Sequence, residues 1–154
     1  MRRSIVCGVD GSADAQAALA IATEFAERLG SRLVLAHVAE PAYVPYAGAY
    51  PFGGTTGPMA TAKETESEEE AAARVLERAA IDAGLADAER RVAIGDPAER
   101  LAELADEEDA ELIVVGSRGR GAFKAAFLGS VSHNLVGVAR CPVLIVPPGV
   151  YEEQ

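Results

Sequence analysis

The chain has 154 residues, of which 24 are acidic and 14 are lysine or arginine, so its formal net charge at pH 7 is −10. This length and a hydrophobic content of 49% are sufficient for a domain with a buried core. The negative charge argues against general affinity for nucleic acid or anionic membrane, because both require a basic protein surface. We therefore expect a single domain over residues 1–154. We expect neither nucleic acid nor a membrane as its partner.

Cysteine usage and hydropathy indicate the compartment. Cys7 and Cys141 lie in or beside apolar runs, without a C-x-x-C motif or histidine at metal-binding spacing, which predicts buried, reduced thiols. The apolar run before Asp10 is too short for a secretory signal, and no stretch reaches the length of about 18 apolar residues that spans a bilayer. These patterns favour a cytoplasmic location.

The first part of the chain predicts a strand, a helix and a second strand. An apolar run over residues 4–9 is followed by Ser12 and then by alanine and leucine at helical spacing up to Gly30. Residues 33–38 form the next apolar run. Residues 39–63, rich in proline, glycine and tyrosine, predict a long irregular loop, which is either a mobile connection or a lid or partner-binding surface.

The rest of the chain continues this alternation. Apolar positions over residues 71–83 predict a long helix, and residues 91–94 predict a third strand. Asp96, Pro97 and Glu99 have the spacing of a capped helix start. The last three predicted elements are a strand over residues 112–115, a helix over residues 130–139 and a strand over residues 143–146.

Apolar strands that alternate with helices are typical of an α/β protein. We predict a doubly wound, Rossmann-like fold with five parallel strands in the order 3-2-1-4-5 and helices on both faces. In that order the winding direction reverses between strands 1 and 4. The turn at residues 10–12 and the loop beginning at Gly116 follow these two strands, so we expect them to meet in a ligand-binding crevice.

The loop after the fourth strand has the features of an anion site. Residues 112–151 contain no acid and hold the pattern Gly116-x2-Gly119-x9-Gly129-Ser130. Glycine lets backbone N–H groups approach a phosphate, and a helix beginning at Ser130 presents further N–H groups. Neither a P-loop nor a G-x-G-x-x-G fingerprint is present. The alternative is a flexible loop in which Ser130 is a simple helix cap.

Four other polar residues near this crevice each allow two interpretations. Asp10 either caps the first helix together with Ser12 or contacts a nucleotide and its metal. Arg118 either contacts phosphate or ribose or is a solvated loop arginine. His37 fits a packed histidine at a strand end better than a base, and His133 fits a hydrophilic helix face as well as a position near phosphates.

Over nearly its whole length the chain resembles the universal stress protein family. The similarity lies in Val9-Asp10-Gly11-Ser12, His37-Val38, Gly95-Asp96-Pro97, and the glycine pattern followed by Cys141-Pro-Val-Leu-Ile-Val146. The glycine pattern resembles that of the family's ATP-binding branch.

The resemblance implies a set of contacts with ATP and Mg²⁺. Asp10 would lie near the ribose or the phosphates and their metal, and Val38 would present its backbone to the adenine edge. The implied nucleotide-binding residues are Gly8, Val9, Asp10, Val38, Val115, Gly116, Ser117, Arg118, Gly119, Gly129, Ser130, Val131 and Ser132, of which the last four would hold the β- and γ-phosphates. The resemblance also implies a homodimer through the last strand, Val143–Val146, whose apolar edge needs protection.

The sequence offers little for catalysis, since it has no G-x-S-x-G elbow and no close histidine pair. We expect an ATP-binding stress-response dimer with a regulatory role and no dedicated enzyme activity beyond slow ATP hydrolysis. One alternative is a nucleotide-free module of the same family that binds an unknown protein partner. The other is an ATP-using transferase or pyrophosphatase. A cyclic nucleotide in place of ATP is a narrower variant of the main hypothesis.

Overall fold

Five parallel strands form one sheet in the order β3-β2-β1-β4-β5 in the computed structural model, which describes residues 3–41, 62–118 and 128–149. The elements in chain order are β1 (Ser4–Gly8), α1 (Ala13–Leu29), β2 (Arg32–Ala39), α2 (Ala62–Asp82), β3 (Glu89–Ile94), α3 (Pro97–Glu107), β4 (Ala110–Gly116), α4 (Ser130–Val138) and β5 (Val143–Val146). The predicted fold class and strand order are confirmed.

The helices cover both faces of the sheet. On one face, α1 and α2 pack in a cluster that joins Leu76 of α2 to Cys7 of β1. On the other, Leu101 of α3 and Leu135 of α4 pack in a cluster with Val6 of β1. Adjacent strand residues point to opposite faces, so burial on both sides explains why the strands are continuous apolar runs. No helix in the described part of the chain is both long and apolar enough to cross a membrane.

The helix ends follow the capping residues that the sequence predicts. Ser12 is the N-cap of α1, and Gly30 ends that helix in the left-handed conformation with φ +68°. Asp96 caps α3 by accepting a hydrogen bond from the backbone N–H of Glu99 at 3.0 Å, and Pro97 is the first helical residue.

Several predicted boundaries differ from the structure. The helix α2 begins at Ala62 and β2 extends to Ala39, so both elements enter the predicted loop of residues 39–63. The first turns of α2 are rich in glutamate and lack an apolar stripe. Because the predicted helix rested on hydrophobic spacing, it did not include these turns. Strand β3 begins at Glu89, earlier than predicted, because an edge strand tolerates exposed charged residues. The rest of the predicted loop, residues 42–61, lies outside the described residues.

Helix α1 is held close to the carboxyl end of β4 through Gly116. A Cβ atom at Gly116 would lie 2.7 Å from the carbonyl carbon of Asp14 and 2.9 Å from its carbonyl oxygen, closer than such atoms pack. Glycine is therefore required for the first turn of α1 to reach the strand. The contact brings the segments after β1 and β4 to one place, which is the predicted crevice at the reversal of winding.

Changing Gly116→Ala should destabilise the protein by about 1–3 kcal/mol, because the added methyl group displaces helix backbone rather than a flexible side chain. Urea denaturation measures the change. The matched control is Gly137→Ala in α4, where no heavy atom lies within 4 Å of the added Cβ. Alanine favours helix over glycine by about 1 kcal/mol, so this variant should be at least as stable as the wild type. Equal urea midpoints for Gly116→Ala and the wild type would contradict the packing role.

Candidate functional site

The ends of β1 and β4 and the start of α4 meet at the carboxyl edge of the sheet. The backbone N–H of Ser117 donates to the carbonyl oxygen of Val146 at 2.9 Å, and the N–H of Gly129 donates to the carbonyl oxygen of Ser117 at 2.7 Å. The hydroxyl of Ser132 also donates to the Ser117 carbonyl, at 3.1 Å. Ser117 thus joins the segment after β4 to both β5 and α4. Gly119 of the predicted site lies outside the described residues.

The turn after β1 is held by side-chain hydrogen bonds to its own backbone. Oδ1 of Asp10 accepts from the N–H of Ser12 at 2.9 Å, and Gly11 has a φ of +80° that favours glycine. The hydroxyl of Ser12 in turn accepts from the N–H of Ala15 at 3.2 Å. Ser12 is therefore the cap of α1, and Asp10 shapes the turn that precedes it.

His37 is a packed histidine, as the sequence favours. Its Nδ1 lies 2.5 Å from the carbonyl oxygen of Val9, so Nδ1 carries the proton and donates it to this hydrogen bond. The N–H of Val9 donates to the carbonyl oxygen of Ala36 at 2.8 Å. Strand β2 thus holds Val9 from two sides. Val38, the predicted adenine neighbour, is partly buried against the core cluster beneath α3 and α4.

At both Gly8 and Gly116 the space that a side chain would occupy is filled by neighbouring residues of the protein. A Cβ at Gly8 would lie 3.0 Å from Cγ1 of Val115 and 3.3 Å from Cδ1 of Leu101, while one at Gly116 would displace Asp14. We expected the missing side chain of Gly116 to admit backbone N–H groups to a phosphate. The packing of α1 requires glycine at this position independently of any ligand.

Asp14 belongs to this crevice and was missed by the sequence analysis. Its side chain is only 11% exposed. Its Oδ2 accepts hydrogen bonds from Oγ of Ser117 at 3.2 Å, from the N–H of Arg118 at 3.2 Å and from Nε of Arg118 at 3.4 Å. Arg118 is therefore not a freely solvated loop residue. The sequence signal for Asp14 is an acid in the first turn of a helix, which is common on exposed surfaces as well.

The start of α4 has no side-chain cap. Gly129 is the N-cap and provides no side-chain acceptor, so the interpretation of Ser130 as a simple cap is wrong. Within residues 3–41, 62–118 and 128–149, no acceptor pairs with the backbone N–H of Ser130, Val131 or Ser132. Free N–H groups at a helix start carry positive potential and bind phosphates.

The described residues offer few groups for bond-making chemistry. They contain no cluster of three or more histidine, cysteine, aspartate or glutamate side chains that could hold a metal ion. Both cysteines are free thiols, and burial raises the pKa of Cys7 to about 12, so this thiol stays protonated. His133 is exposed on α4.

A cavity of about 380 Å³ lies between α1 and α2, next to the turn after β1. Val9, Leu19 and Val75 contribute apolar surface to it, and Arg74 and Arg78 of α2 line its wall. Because α4 packs on the opposite face of the sheet, this cavity is separate from the start of α4.

Comparison with known proteins identifies the family. The sequence profile of the universal stress protein family matches residues 1–147. A universal stress protein of Thermus aquaticus is 39% identical over 153 aligned residues, which cover 95% of this chain and 99% of that protein.

Solved structures share the architecture. Universal stress protein UspA of Lactobacillus plantarum has a TM-score of 0.71 at 21% identity, and the match covers 95% of this chain and 99% of that one. A universal stress protein in complex with cAMP has a TM-score of 0.63 at 29% identity, with 94% of this chain and 96% of that one covered. The chain described here belongs to the universal stress protein family.

Proposed function

We propose that this protein binds an adenine nucleotide, ATP with Mg²⁺, in the crevice between the segments after β1 and β4, and that nucleotide occupancy regulates its part in the stress response. The observation that carries the proposal is the uncapped start of α4. There the backbone N–H groups of Ser130, Val131 and Ser132 have no acceptor among the described residues. Such a helix start attracts phosphate without any need for a basic side chain.

The choice of nucleotide rests on two further points. A related protein of the same fold has been solved with cAMP, which supports an adenine nucleotide as the ligand class. ATP is proposed ahead of a cyclic nucleotide because three successive N–H groups suit a chain of phosphates. The glycine pattern ending at Gly129 also resembles that of the ATP-binding branch. Competition between MgATP and cAMP discriminates the two ligands directly.

The other residues of the crevice fit this ligand. Mg²⁺ commonly binds one or two carboxylates together with phosphate oxygens and water, so the single carboxylate of Asp10 is compatible with it. Bound Mg²⁺ would neutralise phosphate charge. Asp10 is partly buried and is oriented by the N–H of Ser12. Val38, one residue before the end of β2, would present its backbone to the adenine.

We propose a regulatory role because no described residue is placed as a general base. Slow ATP hydrolysis is compatible with phosphates held by backbone N–H groups. The second candidate is a nucleotide-free interaction module, which the occupation of Ser117 and Arg118 by Asp14 favours. Mass spectrometry of the gently purified protein separates the two, since co-purified nucleotide supports the first. The cytoplasmic location stays a prediction.

The change Ser130→Pro should weaken MgATP binding about 10-fold or more, since it deletes one charge-assisted N–H donor. Proline is well tolerated at the first position of a helix, and Gly129 already has the extended backbone that precedes proline, with φ −62° and ψ 161°. The helix should therefore remain intact. Isothermal titration calorimetry measures the affinity, and adenosine, which has no phosphate, should bind both proteins equally.

Two variants control this experiment. Ser130→Ala removes the hydroxyl but keeps the N–H, so its affinity for MgATP should stay close to that of the wild type. Arg74→Gln alters the separate cavity between α1 and α2. If Arg74→Gln weakens binding and Ser130→Pro does not, the nucleotide lies in that cavity and the assignment to α4 is wrong.

We also propose that the protein forms a homodimer through β5. This strand pairs with β4 and lies at one edge of the sheet, so its outer backbone groups need a partner or a cover. Val136 and Val138 of the preceding helix α4 are 61% and 43% exposed, which adds apolar surface near this edge. A second copy of β5 would satisfy both requirements.

The change Ile145→Lys should convert the dimer to a monomer, because it places a charge on the strand that forms the proposed contact. Sedimentation velocity measures the change in mass. Ile81→Lys controls for the added surface charge, since Ile81 is 57% exposed on α2, a helix that packs on β2 and β3, away from β5. An unchanged sedimentation coefficient for Ile145→Lys would show that the dimer interface does not lie at β5.

A further inference from the structure

The segment after β4 is paired with an internal anion, the side chain of Asp14. A single oxygen, Oδ2, receives one main-chain N–H, one hydroxyl and one guanidinium N–H, from Ser117 and Arg118 at 3.2–3.4 Å. A phosphate oxygen bound to a loop of this kind would receive the same types of donor. The donors that the sequence assigns to phosphate are thus shared with a residue of α1.

The pairing also neutralises charge. The side chains of Arg118 and Asp14 are 28% and 11% exposed, so water screens their attraction less than that of a surface pair. While they are paired, the positive charge of Arg118 gives little net attraction to an incoming anion. The carboxylate of Asp14 adds a fixed negative charge close to the start of α4, because Ser117 contacts both Asp14 and Gly129.

We propose that Asp14 is a specificity-determining residue of the nucleotide site, which limits affinity for the phosphate chain by competing for Ser117 and Arg118. The inference rests on the proposed nucleotide function. In this arrangement the start of α4 supplies the phosphate contacts, and Arg118 contributes only when it leaves Asp14. Asp14 therefore weakens binding of charged ligands and has no effect on the uncharged nucleoside.

A purely structural role for Asp14 makes a different prediction. If the carboxylate only fastens α1 to the segment after β4, its loss would loosen the whole crevice and weaken nucleoside and nucleotide alike. Asp14→Asn separates the two roles, because asparagine has the same shape and its carbonyl oxygen can still accept hydrogen bonds from Ser117 and Arg118. Only the negative charge is removed.

The experiment compares the affinities of MgATP and adenosine for the wild type and Asp14→Asn by calorimetry. Asp14→Asn should bind MgATP about 5-fold tighter, the factor expected for a partly exposed ion pair, and adenosine with unchanged affinity. The gain should persist when Arg118→Gln is also present, because the Asp14 charge is then uncompensated and its removal still favours the phosphates. Circular dichroism melting verifies that each variant is folded.

The outcomes are distinguishable. If wild-type protein binds MgATP and Asp14→Asn binds it equally or more weakly, the inference is overturned and the proposed function stands. If wild-type protein binds neither ligand, both are overturned. If Asp14→Asn fails to fold, the Arg118→Gln variant by itself tests the inference. It should weaken MgATP about 5-fold and leave adenosine unchanged, because the Asp14 charge is then uncompensated, and equal weakening of both ligands would refute the inference.

Discussion

The close approach of α1 to the end of β4 is the constraint on which the site depends. It requires glycine at position 116, where any Cβ would meet the backbone of Asp14 at less than 3 Å. The same approach places the Asp14 carboxylate against Ser117 and Arg118. One packing contact therefore fixes the distance between the segments after β1 and β4 and sets the charge of the crevice between them. If Gly116 served ligand binding alone, it would not need to lie this close to the backbone of Asp14, and the Asp14 carboxylate would not need to reach Ser117.

The crevice contains two groups of hydrogen-bond donors, one paired within the protein and one without an acceptor among the described residues. Those of Ser117 and Arg118 are paired with the protein's own carboxylate or with β5. Those at the start of α4 have no acceptor among the described residues. Since buried donors are costly to leave unpaired, the first group stabilises the fold and the second is the better place for a ligand. For this reason the proposed function rests on the start of α4 rather than on Ser117 and Arg118.

Membership of the universal stress protein family establishes the architecture but does not by itself fix the ligand. Within one fold, function depends on individual groups rather than on the architecture, and the crevice of this chain includes an acid in the first turn of α1. A carboxylate beside a phosphate site lowers the affinity for polyanions and so tunes how the site responds to ligand charge. In the proposed function, the balance between Asp14 and the N–H groups of α4 sets how strongly the crevice attracts a nucleotide.

The sequence by itself determined the order of elements, the parallel sheet, the capped starts of α1 and α3 and the meeting of two loops at one edge, because hydrophobic spacing and capping chemistry are local. It also placed His37 as a packed residue. Only the tertiary structure decided that Gly116 serves the packing of α1, that Asp14 is buried and that Arg118 pairs with it. These facts depend on contacts between pairs of residues that are separated by 103 or 104 positions in the sequence, and local patterns carry no signal for such contacts.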